Sequence, residues 1–227
     1  RFINPVLAIS DADRDLTALV YSGLLKATPE GTWVPDLAES YSISPDGLTY
    51  TFTLKPDLIF QDNKPLTSDD VVFTIQKAQD PTIKSPKRPN WEGVTAEKVT
   101  DREVKLTLKQ PYAPFLENAT LGILPKHIWA NVSGEEFQFS QFNIEPVGSG
   151  PYDVTDWKRG DRITLERRED FTGEKPHFAT AVFRYFKDGT APIRLPEDPA
   201  LSPDGTTLVF AWRGDLWSVP ATGGVAR

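Results

Sequence analysis

Within forty residues, 41–80, the chain carries separate local signals for a turn, a strand, a second turn, a second strand and a helix. Ser44-Pro45-Asp46-Gly47 is turn chemistry, since proline presets φ, aspartate bonds its own backbone and glycine accepts positive φ. Leu48, Tyr50, Phe52 and Leu54 then alternate with Thr49, Thr51 and Thr53, the period of a strand with one buried face. Leu58-Ile59-Phe60 is expected to be a second strand, and Asp62-Asn63-Lys64-Pro65 turns the chain after it. Thr67 and Asp70 are spaced as a capping box, in which each side chain satisfies a free backbone N–H at a helix start. Val71, Val72, Ile75 and Ala78 fall on one helical face, and Asp80-Pro81 stops the helix. A half-buried strand running into a one-faced helix calls for a sheet covered by helices, so the expected fold class is α+β.

The flanking segments follow the same two periods. Residues 11–26 predict a helix, with Leu16, Leu19, Val20, Gly23 and Leu24 on one face and Asp11 or Asp13 near its N-terminus. Residues 94–99 and 103–109 predict a hairpin turning at Thr100-Asp101-Arg102, with Val104, Leu106 and Leu108 inward. Tyr152 opens a strand, Ile163–Arg167 is another, and 178–187 is a third in which Ala181, Phe183 and Tyr185 alternate. Trp33 and Tyr41 are expected in the core, because large rings bury large apolar area. Between the helix at 68–79 and the hairpin lies a Pro- and Lys-rich loop, 81–93, that holds Trp91. Its Lys84, Lys87 and Arg88 are expected to be a solvated face.

Several chemistries are excluded by what is absent. A net charge of −7 and no stripe of Lys or Arg argue against a nucleic-acid partner. No cysteine means no disulfide, no thiolate ligand and no thiol nucleophile. His127 and His177 are the only histidines and lie far apart, short of the three or four convergent ligands a transition metal needs. Gly148-Ser149-Gly150 lacks the G-x-S-x-G pattern of a nucleophile elbow. Asp69 and Asp70 are adjacent, so on a helix they point apart and make a poor acid–base pair. No catalytic residue, metal or cofactor is therefore expected, and the chain is not expected to be an enzyme. No run approaches the length of a membrane span.

Beyond periodicity, a succession of longer motifs stands out. Trp33-Val34-Pro35-Asp36-Leu37-Ala38-Glu39-Ser40-Tyr41 comes first, then the turn at 44–47, Tyr50–Lys55 and Phe60–Phe73. Gln110–Leu116, Leu124-Pro125-Lys126-His127-Ile128-Trp129, Pro146-Val147-Gly148-Ser149-Gly150-Pro151-Tyr152 and Trp157–Arg167 follow in order. Across about residues 1–187 this succession resembles family 5 of the extracellular solute-binding proteins, which serve ABC importers of oligopeptides, nickel and related solutes; 60–73 is the most specific part. The resemblance implies a partial periplasmic-binding-protein-type lobe, a mixed sheet with helices, plus a small accessory α/β domain. Residues 1–44 and 145–190 would belong to the lobe and 45–144 to the accessory domain. In the family, two lobes close on a solute by a hinge. The loop positions implied to face the solute are Ser10, Asp11, Trp91, Gly148, Ser149, Gly150 and Tyr152, although turn or core packing would explain each. A peptide or other small solute and an ABC permease are the implied partners. The location implied is periplasmic or extracellular, on a lipid anchor, and the opening Arg1-Phe2-Ile3-Asn4-Pro5 reads as trimmed. With the second lobe missing, weak capture or none is expected.

From about 191 the character changes. Leu201-Ser202-Pro203-Asp204-Gly205 through Trp212, then Asp215-Leu216-Trp217-Ser218-Val219, predicts a β-hairpin and resembles one blade repeat of a Tol-system or tricorn-type propeller. The joint near 188–196 looks like a seam. A chimeric scaffold whose terminal hairpin completes a sheet is the alternative function.

Overall fold

A computed structural model describes residues 2–28, 30–184, 200–201, 207–212 and 215–220. Its contacts divide into two units, Arg1–Pro151 with Phe171–Gly173, and Tyr152–Asp170 with Glu174–Arg227. Residues 1–44 and 45–144 thus fall in one unit.

In the first unit the expected alternation becomes a sheet. β1 (Leu25–Ala27) and β2 (Trp33–Pro35) form a small hairpin. β3 (Ala38–Ile43), β4 (Thr49–Leu54), β5 (Thr95–Thr100) and β6 (Glu103–Thr107) pair antiparallel in the order β3-β4-β6-β5. Tyr50, Phe52 and Leu54 of β4 and Val104 and Leu106 of β6 are buried, while the threonines between them are half-buried. α1 (Asp11–Val20) precedes the sheet, and α2 (Ser68–Gln79) packs on β5 and β6 through a face that buries Val71, Ile75 and Ala78. Each large apolar side chain so buried contributes about 1.5–3 kcal/mol. Three short helices follow: α3 (Arg88–Trp91), α4 (Phe115–Asn118) and α5 (Lys126–Trp129). Trp129 stacks at 4.4 Å on Phe137 and meets Phe142 at 5.7 Å, closing the core below α5. Trp33 and Tyr41 sit at the margin of the core, half-buried, with Tyr41 5.6 Å from Phe52.

Two expectations are corrected. The first helix ends at Val20, not Lys26, because Tyr21 is already extended (φ −125°, ψ 129°). The carbonyls beyond it are claimed by other segments. Ser22 accepts from Ile123 N–H at 2.9 Å, Gly23 from Leu37 at 3.0 Å, and Leu24 from Asp36 at 3.0 Å. Tertiary partners replace the next helical turn. Leu58–Phe60 forms no strand but a single bridge, Ile59 to Pro65. Asp57 and Asn63 adopt positive φ (54° and 64°), which curls the segment before a ladder can extend.

In the second unit β7 (Tyr152–Lys158), β8 (Arg162–Arg167) and β9 (Thr180–Arg184) make an antiparallel sheet in that order. β9 is shorter than the strand expected at 178–187; Tyr185 lies outside the described residues. β11 (Thr207–Trp212) and β12 (Asp215–Pro220) pair from Thr207–Pro220 to Trp212–Asp215 as the expected hairpin, and β10 (Ala200–Leu201) adds a third strand. The joint near 188–196 and the turn at 202–205 lie outside the described residues. No helix of the described residues is long and apolar enough to cross a membrane.

Asp36, half-buried between β2 and β3, yields a first prediction. Burial pushes its carboxyl above the ordinary range, opposed by a hydrogen bond from Ser22 and by Lys26 and Lys55. The folded chain then holds a proton that the unfolded chain has released. Stability therefore falls as pH rises from the ordinary carboxylate range through the folded-state value, and stays lowered at neutral pH. Asp36→Asn is expected to raise Tm at pH 7, with the gap to the parent narrowing towards about pH 4. Thermal melts across that range check it, and a gap that widens on acidification contradicts it.

Candidate functional site

The glycine loop at 148–150 is stitched to the C-terminal end of α1. Gly150 N–H donates to Val20 O at 2.8 Å, using the carbonyl the helix leaves open there. Ser149 is 2 % exposed; its Oγ accepts from Ser22 N–H at 3.1 Å and lies 3.3 Å from Ser22 O. Gly148 N–H donates to Gln61 Oε1, and Gln61 N–H donates back to Gly148 O at 3.0 Å. A Cβ on Gly148 would lie 1.9 Å from Val20 O, and one on Gly150 would lie 2.6 Å from Val20 C. Both positions therefore need glycine for the closeness of two backbones, not for φ.

Ser10 and Asp11 lie at the other end of α1, about 15 Å away at the helical rise per residue. Ser10 is the N-cap, and it and Asp13 form a full capping box: Asp13 N–H to Ser10 Oγ at 3.2 Å, Ser10 N–H to Asp13 Oδ2 at 3.3 Å. Both Ser10 and Asp11 are exposed, and Asp11 pairs with Arg14. Ile9 beside them is 71 % exposed. Trp91 is buried, its ring edge-on to Phe115 at 5.7 Å, and Phe115 in turn meets Tyr50 at 4.7 Å. Tyr152, in the second unit, is buried, and its hydroxyl donates to Phe178 O at 2.9 Å. Of the seven positions expected to face a solute, the structure thus brings Gly148, Ser149 and Gly150 together. It sets Ser10 and Asp11 at the far end of the same helix, and it places the surfaces of Trp91, Ser149 and Tyr152 in packing. Only Ser10 and Asp11 of the seven are exposed.

A buried polar pair holds the segment before α1. Asn4 Nδ2 donates to Asn143 Oδ1 at 2.9 Å, Asn4 Oδ1 accepts from Val6 N–H, and Asn143 Nδ2 donates to Phe137 O at 2.8 Å. Nothing local in the sequence marks that pair, since its members lie 139 residues apart. Asp70 is buried beneath α5: Oδ2 accepts from Thr67 N–H at 2.9 Å and Oδ1 from Lys126 N–H at 2.9 Å. Burial pushes its carboxyl up, while these donors and His127 hold it down. Neighbouring Asp69 is exposed, between Lys98 and Lys126. His127 Nε2 lies 2.7 Å from Asp62 Oδ2. Among the described residues no cluster of three or more His, Asp or Glu is arranged to hold a metal ion.

With that geometry in place, known proteins supply the frame. Residues 32–196 match the family model described as bacterial extracellular solute-binding proteins, family 5 middle. The oligopeptide-binding protein AppA of Bacillus subtilis is 34 % identical over 194 residues, covering 84 % of this chain and 36 % of that protein. Its structure in complex with a nonapeptide matches with a TM-score of 0.79 at 33 % identity, over 84 % of this chain and 39 % of that one. NikZ from Campylobacter jejuni, in complex with Ni(L-His), matches with a TM-score of 0.75 at 33 % identity, over 82 % and 37 %. The chain therefore spans little more than a third of the length of these relatives. The family match ends at residue 196, before β10 to β12 begin. The chain's fold is α+β and part of a periplasmic-binding-protein fold, but among the described residues every strand pair is antiparallel, not the mixed sheet expected, because each pairing joins strands that run in opposite directions. The chain belongs to family 5 of the bacterial extracellular solute-binding proteins.

Proposed function

We propose that this chain is the first-lobe portion of the solute-binding component of an ABC importer, that its solute is an oligopeptide, and that it acts in the periplasm or outside the cell without catalysis. The observation that carries this reading is the match to AppA with its bound nonapeptide, a TM-score of 0.79 over 84 % of the chain. An extended peptide can be held through its main chain while roomy pockets accept varied side chains. Residues 1–44 and 145–190 form the lobe and 45–144 the accessory domain in this reading. Exposed Ser10 and Asp11 face the solute. In this reading buried Trp91, Gly148, Ser149 and Gly150 of the first unit, and Tyr152 of the second, are the other solute-facing positions. A permease is the membrane partner, and a lipid anchor holds the protein near it.

Since a closed cleft needs two walls, capture by this portion is weak. Isothermal calorimetry with a mixture of short peptides is expected to give a Kd weaker than about 1 μM. Submicromolar binding would show that one wall suffices and sink the two-lobe account. The tail is proposed as a separate blade-like module. Its support is the repeat motif and the fact that the family match stops at 196 while antiparallel strands run to Pro220.

A further inference from the structure

Residues 81–92 enclose a surface hollow of about 410 Å3, lined by Pro81, Lys84, Ser85, Arg88, Pro89 and Glu92. The sequence leads one to expect a solvated face at Lys84, Lys87 and Arg88; Lys84 and Arg88 are exposed, whereas Lys87 is half-buried. The loop beneath them is firmly held, however. Ser85 is buried and its Oγ donates to Val6 O at 2.6 Å, tying the loop to the segment that leads into α1. Ser85 Oγ also accepts from Lys87 N–H at 3.1 Å. Ile83 and Trp91 are buried at the two ends of the loop, and Lys84 takes a positive φ of 56° between them. Cationic side chains are thus presented from a fixed backbone.

Their charges are poorly neutralised. Among the described residues Lys84, Lys87 and Arg88 have no carboxylate at ion-pair distance, whereas Arg14, Arg102 and Lys126 each have one and Lys98 has two. Lys87 is half-buried beside the hollow, and its ammonium is pushed down by burial and by the Arg14 guanidinium facing it from α1; Glu117 opposes the shift. Glu92 in the lining and Asp80, which feels Arg88, are the other carboxylates around it. Two cations in the lining of the hollow, with Lys87 on the same loop, raise the local potential for an anion, and charge-assisted hydrogen bonds from Arg and Lys to a carboxylate are the strong ones.

We propose that this hollow binds a carboxylate of the solute through Lys84 and Arg88, with Lys87 beside them, so that the chain favours acidic peptides over neutral ones. The inference rests on the solute-binding reading and names the substrate class within it. The test is a titration of the full chain with acetyl-Asp-Glu, and separately with its neutral isostere acetyl-Asn-Gln, followed by amide NMR shifts. Saturable shifts at 84–92 with the acidic dipeptide are expected, about tenfold weaker in affinity for the Lys84→Gln/Arg88→Gln double variant and weakened by salt. Both side chains are exposed, so the variant keeps its fold, which its unshifted core amides verify. Equal shifts at 84–92 from the two dipeptides, or none from either, overturn the inference. If in that case shifts appear at Ser10 and Asp11, the solute-binding reading survives its loss. Acid-specific shifts at 84–92 with none at Ser10 or Asp11 would mark an anion site apart from the solute, and would overturn its assignment to the solute's carboxylate.

Discussion

Gly148→Ala is expected to lower Tm by roughly 10 °C, the loss of about 3 kcal/mol or more that overpacking of a closed backbone contact brings to a chain of this size. The added Cβ would meet Val20 O at 1.9 Å and Val20 C at 2.8 Å, atoms of a helix backbone that cannot rotate aside. Nor can the loop retreat cheaply. Gly148 exchanges two hydrogen bonds with Gln61, and Gly150 and Ser149 are fixed two residues on by Val20 O and Ser22. Moving the loop far enough would break several of these bonds, each worth about 1 kcal/mol. Gly31→Ala is the control. Gly31 has a positive φ of 78° but nothing within 4 Å of a new Cβ, so only backbone strain of about 1 kcal/mol is expected. Circular-dichroism melts of the two variants should therefore differ by several degrees. Equal losses would show that the 148–150 loop adapts and does not lock α1.

Asp70→Ala is the second large effect, with a loss of about 3 kcal/mol. It leaves Thr67 N–H and Lys126 N–H without acceptors in a place where the carboxylate is 5 % exposed, and each orphaned buried donor costs about 1–3 kcal/mol. It also removes the start signal of α2, since Asp70 accepts both the backbone N–H and the hydroxyl of Thr67. Asp70→Asn separates the two roles. An amide offers one oxygen where the carboxylate offers two, so one N–H keeps its acceptor and the other meets an NH2 donor. Its loss is expected to fall between those of the parent and the alanine variant. Denaturant unfolding measures all three, and an Asn variant as stable as the parent would mean that one of the two bonds carries no energy. The same position argues against acid–base work at Asp69 and Asp70: one is buried as a structural acceptor and the other is exposed among lysines.

What could be read from the sequence was what neighbours in sequence decide. The β4 alternation and the Asp70 half of the capping box each need fewer than eight residues of context, and both are present. The succession of motifs also carried the family, because order and spacing over a long stretch are specific where a single motif is not. What escaped depends on distant partners. The apolar face of the first helix continues past Val20, yet the carbonyls of 22–24 are taken by strands and loops whose positions no local pattern encodes. Trp33 and Trp91 look alike in a sequence; one lies half-buried at a margin and the other is buried edge-on to Phe115, a partner that no local pattern names. Ser10 drew attention as a loop serine near a cleft, while its spacing to Asp13 already spelled a capping box. The Asn4–Asn143 pair had no signal at all, as two asparagines far apart never do.

The strand order β3-β4-β6-β5 has a consequence for synthesis. β3 and β4 emerge from a ribosome as a ready hairpin, but β4 is an inner strand, and its other neighbour, β6, is not complete until Thr107 has been made. At translation rates of about 5–20 residues per second, the nascent hairpin keeps one hydrogen-bonding rim unpaired for several seconds. During that interval a chaperone can bind it, or the rims of two nascent chains on neighbouring ribosomes can meet.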